Sequence, residues 1–541
     1  MASNRSAQAV SVEKILALAD EHRKAGRLKM ADRLCRQLLE SEPNHPPILH
    51  LRALIAHDAG DQGTAITLMR QASAANGRDP LLHCNLAEMF RSAGLLDEAL
   101  AASRRALALD ADFPEALYRL GSILCARGEY KDAVPYLKRA AALAPDNAAA
   151  HTNLGHALLA LERLPEALDA IEKAIRLNPG SPNGFHNRGV IFQHMGRCEE
   201  AEADWKRTLA LDPTHIDARI SLNSSQGMAF YKMGKLDEAE AHWKQVISLR
   251  PEVAEAQTNL AIIHLLRGRL AEGFGLYEWR WRMKNGPPHP ELPAPWMGDD
   301  PAGKRLLIHA EQGFGDTLQF CRYLPLLRDR GARLAFLVSR PLRPLIAHSM
   351  PWLELPHGPQ PPSDLQSTLL SLPRLSKTTL GTIPAAIPYI HAPPQAVSRL
   401  RDAMGPGPEL KVGLAWAGSQ KHLLDKERSL AFEALAPILA VKGMRLFSLQ
   451  IGAAADEVRQ ARMIDLSPHL TDFAETAGAM GKPVWIMLPF VPDWRWLLER
   501  EDSPWYPTAR LFRQKTRGDW GQVARDIAHS LTGMAQAEAR R

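Results

Sequence analysis

The sequence predicts an all-α superhelix of paired helices over its first half, followed by an α/β region of two lobes. Three observations carry this prediction. Small residues recur every 34 residues from Val12 onward, as in Ala31, Ala65 and Ala99. Short apolar runs alternate with helix-like segments after Arg305, which is typical of parallel sheets with crossover helices. The composition, 45% hydrophobic and 23% charged, is that of an ordinary globular protein.

The repeat register is carried by small residues at two fixed positions, which let two antiparallel helices approach closely. The eighth position of each unit holds Ala19, Ala53, Ala87, Gly121, Gly155 and Gly189, and the twentieth holds Ala31, Ala65, Ala99, Ala133, Ala167 and Ala201. Glycines permit the turn between the two helices. They stand at Gly26, Gly60, Gly94, Gly128 and Gly196, with Glu162 as the exception. After a four-residue insertion the register resumes with Gly227, Gly234, Ala239 and Pro251.

This register resembles the tetratricopeptide repeat, with about eight repeats over residues 12–283. Such arrays form a superhelix with an extended concave surface. The resemblance implies that the sixth position of each repeat faces this surface. That position carries Asn85, Asn153, Asn187 and Asn259. An asparagine ladder can hydrogen-bond an extended peptide backbone without reading its side chains. Alternatively, these asparagines are common repeat sequence at a solvated position. A protein or peptide in this groove is the expected partner.

Residues 284–304 are rich in proline and glycine and are predicted to form a linker. A first lobe is predicted over 305–400 and a second over 410–533, each with a parallel sheet. The first opens with an apolar strand, a turn through Gly313 and Gly315, and a helix that begins at Asp316. Ligands of parallel α/β sheets bind at such strand-to-helix turns. Two lobes of this kind indicate a ligand cleft at their interface.

Four motifs in this region resemble heptosyltransferase-like glycosyltransferases that bacteria fuse to tetratricopeptide repeats. They are EQGFGDTLQFCRYLPLL, VGLAWAGSQ followed by ERSL, FSLQ, and PFVPDWRWLLEREDSPWYPTARLFRQ. The domain order is also similar to that of the O-linked N-acetylglucosamine transferases. The resemblance implies a GT-B fold of two Rossmann-like lobes, with the acceptor on the first and a nucleotide-sugar donor on the second. It implies no cofactor and no catalytic metal.

The resemblance gives candidate roles to particular residues. Asp316 follows Gly315 where the family has a Gly-Asp turn, and its carboxylate is a candidate general base for the acceptor hydroxyl. It could equally be a helix N-cap, and the two roles are compatible. In the second lobe, the loop GLAWAGSQKHLLDKERSL could bind the donor diphosphate. The candidate donor contacts there are Lys421, Arg428, Ser429 and, at the end of FSLQ, Gln450, with Gly418 allowing a ligand to approach closely. The alternative is a solvated loop.

Two features of the second lobe limit this assignment. Relative to the family, a strand and a helix start are absent between ETA and GKPVW, so the lobe is shortened near 477–481, although a parallel strand needs a crossover of about a dozen residues. The aromatic residues of the PDWRWLLEREDSPWYP motif could stack on a base or sugar. The favoured interpretation is that they pack a C-terminal helix across the lobes. The only D-x-D triplet, Asp110 to Asp112, lies in a repeat turn, so a metal-dependent site is not expected.

Two functions of different classes follow from the sequence. One is a glycosyltransferase that moves a sugar from a nucleotide-sugar to a protein or glycan acceptor presented by the repeats. The other is a non-catalytic interaction scaffold with a vestigial transferase domain. Nucleic acid is not an expected partner, because no run of basic residues with interleaved aromatics accompanies the net charge of +6. The five scattered cysteines predict reduced, buried thiols. No signal-like or membrane-spanning segment is recognised, and the expected location is the cytoplasm.

Overall fold

The computed structural model describes residues 2–283, 286, 294–358, 360–417, 429–451, 455–470 and 483–540. The chain forms two compact units, Met1–Ser225 and Gln226–Arg541. The described part of the first unit consists of helices joined by short turns. The second unit begins with further helices of the same kind and continues into small parallel sheets.

Sixteen helices occupy the described chain up to residue 277, alternating between the first and second helix of a repeat. The first helices are α1 (Ala2–Lys24), α3 (Pro46–Asp58), α5 (Pro80–Ser92), α7 (Pro114–Ala126), α9 (Ala148–Ala160), α11 (Pro182–His194), α13 (Ile216–Lys232) and α15 (Ala254–Leu266). The second helices are α2 (Leu28–Ser41), α4 (Gln62–Ala75), α6 (Leu96–Leu109), α8 (Tyr130–Leu143), α10 (Leu164–Leu177), α12 (Cys198–Leu211), α14 (Leu236–Leu249) and α16 (Leu270–Tyr277). From α3 to α13 the first helices begin 34 residues apart, so the predicted register is confirmed.

The four-residue insertion lies in α13, which has 17 residues where α11 has 13. Four residues add about one helical turn, so the helix lengthens while the face it presents changes little. The boundary between the two compact units, at Ser225 and Gln226, falls inside this helix. The last repeats therefore belong to the same compact unit as the α/β region.

The turns between paired helices need a left-handed backbone conformation, which glycine adopts without strain. The turn glycines share a φ between 71° and 82°: Gly26, Gly60, Gly94, Gly128, Gly196, Gly234 and Gly268. The residue that replaces glycine in the fifth repeat, Glu162, has a φ of 58°. The turn geometry is thus kept even where the sequence lacks glycine.

The eighth position of a repeat is small because a large side chain of the second helix fills the space above it. A Cβ atom built on Gly121 would lie 2.5 Å from Leu137 Cγ. One built on Gly189 would lie 2.6 Å from Trp205 Nε1, and that indole is fully buried. Interiors are packed closely enough that such overlaps force side chains out of their preferred rotamers.

Replacing Gly189 by alanine is therefore expected to destabilise the first unit by about 1–3 kcal/mol, the usual result of overpacking. Chemical denaturation followed by tryptophan fluorescence measures the change. Gly63→Ala is the matched control, because its Cβ would meet nothing closer than 3.8 Å and alanine favours a helix. If both variants unfold like the parent chain, the close approach of α11 and α12 is wrong.

The first lobe contains a three-stranded parallel sheet of order β2-β1-β3. Its strands are β1 (Arg305–His309), β2 (Arg333–Leu337) and β3 (Leu365–Thr368). The helices of this lobe are α17 (Phe314–Phe320), α18 (Leu324–Asp329), α19 (Arg343–Ser349), α20 (Leu372–Leu375) and α21 (Pro394–Met404). Leu306 and Ile308 of β1 are fully buried in one apolar core with Leu266 of α15 and Phe274 of α16. The last repeat and the first lobe thus share a core.

The second lobe contains two smaller parallel sheets in its described part. One has the order β4-β5-β6, from β4 (Leu410–Leu414), β5 (Met444–Ser448) and β6 (Ile464–Asp465). The other pairs β7 (Trp485–Leu488) with β8 (Arg510–Arg513). The helices are α22 (Ala436–Leu439), α23 (Ala455–Gln460) and α24 (Trp520–Ala539).

The prediction of two Rossmann-like lobes is met in its coarser form, as small parallel sheets flanked by helices. The sheets formed by the described residues have two or three strands, and they do not demonstrate a GT-B fold. The shortening predicted near 477–481 lies outside the described residues, as do residues 284, 285 and 287–293 of the predicted linker. None of the described helices is long and apolar enough to cross a membrane.

The expectation of buried thiols holds for four of the five cysteines, whereas Cys198, the first residue of α12, is exposed. Burial raises the pKa of the Cys35, Cys84 and Cys321 thiols to about 12 and that of Cys125 to about 11. A raised pKa keeps a thiol protonated and unreactive near neutral pH.

We therefore expect a chromogenic disulfide reagent to label one thiol of the folded chain rapidly and the remainder only after unfolding. Rapid labelling of a Cys198→Ser variant would contradict this.

Candidate functional site

The candidate base Asp316 lies in the first turn of α17, immediately beyond the carboxyl end of β1. The chain reaches it through Gln312, whose φ is 59°, and Gly313. The backbone N–H of Gly313 donates to Asp316 Oδ2 at 3.0 Å, which makes Asp316 part of a helix cap. The Asp316 side chain remains 18% exposed. The prediction that the helix begins at Asp316, with Asp316 as its N-cap, is wrong in position: α17 begins at Phe314, its N-cap is Gly313, and Asp316 is its third residue. From there the carboxylate accepts the N-cap N–H, so Asp316 still stabilises the start of the helix. The catalytic role of Asp316 stays a prediction.

The other carboxylate oxygen of Asp316 is bound by Arg495, a residue of the second lobe's chain. Arg495 Nη2 donates to Asp316 Oδ1, and Nη1 donates to both oxygens of Asp493 at 2.9 Å. Arg495 Nε donates to the side-chain oxygen of Gln319. Burial alone would lower the pKa of Arg495, but Asp493 and Asp316 outweigh it and raise that pKa. One guanidinium therefore holds two carboxylates at this edge of the sheet.

Arg495 is carried by residues 489–509, which join β7 to β8 and are called the inserted segment below. Two of its side chains, Trp494 and Trp505, are buried in the first-lobe core beside Phe320, with ring centroids 6.2 and 5.8 Å from that ring. The flanking strands contribute instead to the second-lobe core. The inserted segment thus leaves the second lobe and anchors in the first. The aromatic motif therefore packs across the lobes, but not with a C-terminal helix as expected, because α24 packs in the second-lobe core.

Two arginines hold the inserted segment through backbone carbonyls rather than carboxylates. Arg322 is 2% exposed and donates to the carbonyl oxygens of Trp505 and Gln319 and to Tyr389 Oη at 2.8 Å. Arg513 of β8 donates to the carbonyl oxygens of Trp496, Leu497 and Arg500. Burial, aided by Arg500, lowers the pKa of Arg513. Four of these hydrogen bonds, one from Arg322 and three from Arg513, reach backbone carbonyls of the segment and fix its path, and with it the position of Arg495.

A buried ion pair joins the last repeat to the strand end beside Asp316. Arg280, 2% exposed, donates to both oxygens of Glu311 at 3.0 Å. Glu311 also accepts the backbone N–H of Leu370, beyond β3, at 2.9 Å. Arg280 donates further to Glu278 and Ser371. Burial would lower the pKa of Arg280, but Glu311 and Glu278 outweigh it and raise that pKa.

The last residue of α16 also reaches this edge. Tyr277 Oη accepts from the Gln312 side-chain amide at 3.2 Å. Burial raises the pKa of the Tyr277 phenol, which therefore stays protonated. Phe314, between the two turn glycines, is 42% exposed. The turn thus presents an aromatic ring, an amide and a carboxylate on a frame fixed from both sides.

The second-lobe candidates that are described lie at the carboxyl end of β4. The side-chain oxygen of Gln450 accepts the backbone N–H groups of Trp416 and Ala417, both at 2.9 Å, and its amide nitrogen donates to Ala417 O at 3.0 Å. Gln450 therefore uses its side-chain oxygen and amide nitrogen to hold this loop. These are the same two groups that would have to contact a bound donor. Ser429 is half-buried beside Leu430, whose N–H bonds Trp416 O. Lys421, Arg428 and Gly418 lie outside the described residues.

The asparagines of the repeat groove are all half-buried, but they differ in their partners. Asn85 Nδ2 lies 2.7 Å from His50 Nε2. Between Asn85 and Asn153 the ladder is interrupted by Arg119, which pairs with Glu88 at 2.6 Å.

Comparison with known proteins matches a tetratricopeptide-repeat family model to residues 84–146, 118–182 and 225–281. The helical pairs within these matched ranges, the last of which ends at residue 281, are tetratricopeptide repeats. The repeats are similar to YrrB, a tetratricopeptide protein with an unusual peptide-binding site, at 21% identity over 34% of this chain and 95% of that one, with a TM-score of 0.29. They are also similar to PilF of Pseudomonas aeruginosa, at 20% identity over 39% of this chain and 95% of that one, with a TM-score of 0.35.

The chain is also similar to protein FlbA of Caulobacter vibrioides. The two are 27% identical over 336 residues, which is 52% of this chain and 56% of FlbA. The match thus spans about half of the length of this relative. Tetratricopeptide arrays present an extended concave surface of the kind that binds proteins or peptides.

Sequence reasoning missed the groups around the tetratricopeptide–lobe junction. Arg495 is 179 residues from its partner Asp316, and nothing in the local pattern joins them. Arg280 lies in a stretch of alternating aromatic and basic residues, and this pattern does not indicate which of the arginines is buried. The signal that could have found Arg495 is its place between two tryptophans of the longest family-like motif, since a charge flanked by buried aromatics needs a buried partner.

Proposed function

We propose that this chain is a glycosyltransferase that moves a sugar from a nucleotide-sugar to a protein acceptor bound by its tetratricopeptide repeats. The observation that carries the proposal is the ion pair of Arg495 with Asp316. It brings a charged group of the inserted segment to the carboxyl edge of the first-lobe sheet, where parallel α/β proteins bind ligands. The nucleotide-sugar class rests on the resemblance to heptosyltransferase-like enzymes.

In the proposed reaction Asp316 accepts the proton of the acceptor hydroxyl. The hydroxyl oxygen forms a bond to the anomeric carbon, and the bond from that carbon to the nucleotide phosphate breaks, so the nucleotide leaves. A carboxylate has about four lone-pair sites, of which Arg495 and Gly313 use two. Asp316 can therefore still receive a hydroxyl while both contacts hold it in place. Arg428, Lys421 and Ser429 are the proposed contacts of the departing phosphate.

The second candidate function is a scaffold without catalysis, and the same ion pair favours it. The Asp316 carboxylate is already held by Arg495 and by the Gly313 N–H, which suits a structural role whether or not a substrate binds. Gln450, proposed as a donor contact, already uses its amide on the loop at the end of β4. In that case the function is protein binding alone.

Calorimetric titration with UDP-, GDP-, ADP- and CMP-sugars separates the two functions. For the enzyme we expect saturable binding of one donor, at least about ten-fold weaker in Arg428→Ala, since a charge-assisted contact contributes about 1.5–3 kcal/mol. Asp316→Asn should leave donor binding intact and remove transfer to a protein acceptor. Asp502→Asn is the matched control, because Asp502 pairs only with the exposed Arg500. Absence of binding by a folded chain across the panel would overturn the enzyme and leave the scaffold.

A further inference from the structure

The turns between paired helices form one edge of the repeat array, and in the second unit this edge contacts side chains of the α/β region. A Cβ built on the turn glycine Gly234 would lie 2.8 Å from Phe490 Cε1, and one on Gly268 would lie 2.9 Å from Leu380 Cδ1. An apolar side chain of the α/β region thus packs directly against the backbone of each of these two glycines. Around Gly26, Gly60, Gly94, Gly128 and Gly196 the same space is open.

One pair of turns in the first unit corresponds to this place position for position, with the same residue at five of seven positions. An open depression of about 540 Å³ is lined by Gly94, Leu95, Leu96, Asp97, Glu98, Arg127 and Glu129. Moving each position along by four repeats and the four-residue insertion gives Gly234, Lys235, Leu236, Asp237, Glu238, Arg267 and Arg269. The depression therefore corresponds to the surface between the two turns that Phe490 and Leu380 cover.

The same ion pair frames both places. Arg127 donates to Asp97 of the preceding repeat, and Arg267 donates to Asp237 in the same relation. At the other described repeat boundaries this arginine and aspartate do not occur together, since the arginine position holds alanine, leucine or methionine. The depression therefore has the same turns and the same ion pair as its counterpart in the second unit. In that counterpart, Phe490 and Leu380 already contact the turns.

The two places differ in charge. The depression has one arginine against Asp97, Glu98 and Glu129, a balance of −2. Its counterpart has Lys235, Arg267 and Arg269 against two acids, a balance of +1. Leu95, which replaces the lysine, is 41% exposed. An occupant of the depression would therefore be apolar at its centre and basic at its rim.

We propose that the depression at Gly94 to Glu98, Arg127 and Glu129 docks a segment of a partner protein that places an aromatic or aliphatic side chain on Gly94 beside a basic residue. Large apolar anchors in a pocket with a charged rim are the usual centres of protein interfaces. The site lies on the turn edge, separate from the asparagines on the first helices. It is independent of whether the α/β region is an enzyme.

The test uses the full chain and a random dodecapeptide library displayed on phage. Selected peptides should share a Phe, Tyr, Trp or Leu next to Lys or Arg. In fluorescence anisotropy such a peptide should bind at least about ten-fold more weakly to Leu95→Lys/Glu129→Arg, because both changes oppose its apolar and basic groups. These substitutions install the residues of the counterpart site, so the fold accommodates them. Glu199→Arg, the same charge change at another exposed turn, is the control.

Equal binding to the double variant and the parent chain would overturn the site. Selected peptides that are acidic, or that lack an apolar residue, would overturn the assigned partner chemistry. A concentration-dependent dimer seen by sedimentation, lost in both Leu95→Lys/Glu129→Arg and Phe490→Ser, would show that the occupant is a second copy and would overturn the assignment to a different protein.

Discussion

Replacing Glu311 by glutamine is expected to lower the free energy of unfolding of the second unit by about 3–5 kcal/mol, the usual cost of removing one partner from a buried ion pair. Glutamine has nearly the same volume, so the change removes charge without opening a cavity. Arg280 is 2% exposed and would keep Glu278 as its acidic partner, but it would lose one of its two hydrogen bonds to residue 311, because the amide NH2 of glutamine cannot accept a guanidinium N–H. The neutral amide oxygen would also accept the Leu370 N–H less strongly.

Denaturant unfolding followed by tryptophan fluorescence measures this loss. The control is Glu354→Gln, because Glu354 pairs with Arg305 at the surface, with half of its side chain exposed, and such pairs contribute about 0–1 kcal/mol. Arg280→Met/Glu311→Leu should recover part of the lost stability, since an apolar pair has no charge to desolvate. If Glu311→Gln costs no more than Glu354→Gln, the last repeat does not hold the first lobe through this pair.

The helical half of the fold was readable because its determinants are local. A turn glycine acts on its own backbone, and the residues that pair at positions such as Gly189 and Trp205 are 16 apart at every repeat. Periodicity then multiplies each weak signal. The insertion in α13 was also visible, because the register resumed after it. That the compact units divide inside that helix was not, since burial across a repeat boundary depends on contacts that the register does not encode.

The candidate site was readable only in its turn. The strand, the glycines and Asp316 are consecutive, so the pattern placed the carboxylate at the end of β1. Its partners come from the last repeat and from the inserted segment, and the partner of a long charged side chain is chosen by packing. Gln450 illustrates the same limit: the strand end was located correctly, whereas the use of its amide on Trp416 and Ala417 is a tertiary fact.

Replacing Trp505 by alanine is expected to destabilise the second unit by about 3–5 kcal/mol, as truncation of a buried aromatic usually does. The indole is fully buried, and its ring centroid lies 5.9 Å from Trp494 and 6.4 Å from Phe274. The cavity would open in the core shared by the last repeat, the first lobe and the inserted segment. Because that segment carries Arg495, its loosening should also free Asp316.

Two measurements separate these effects. Denaturant unfolding gives the stability, with Trp496→Ala as the control, since Trp496 is half-buried and contacts Tyr506 at the edge of the same segment. Hydrogen–deuterium exchange of residues 313–320 reports the turn, which should exchange faster in Trp505→Ala than in Trp496→Ala. Equal stability loss in the two variants would mean that the inserted segment is not anchored by Trp505. Loss of stability with unchanged exchange at the turn would mean that Asp316 keeps its cap without Arg495, and that the ion pair can be broken without disordering the site.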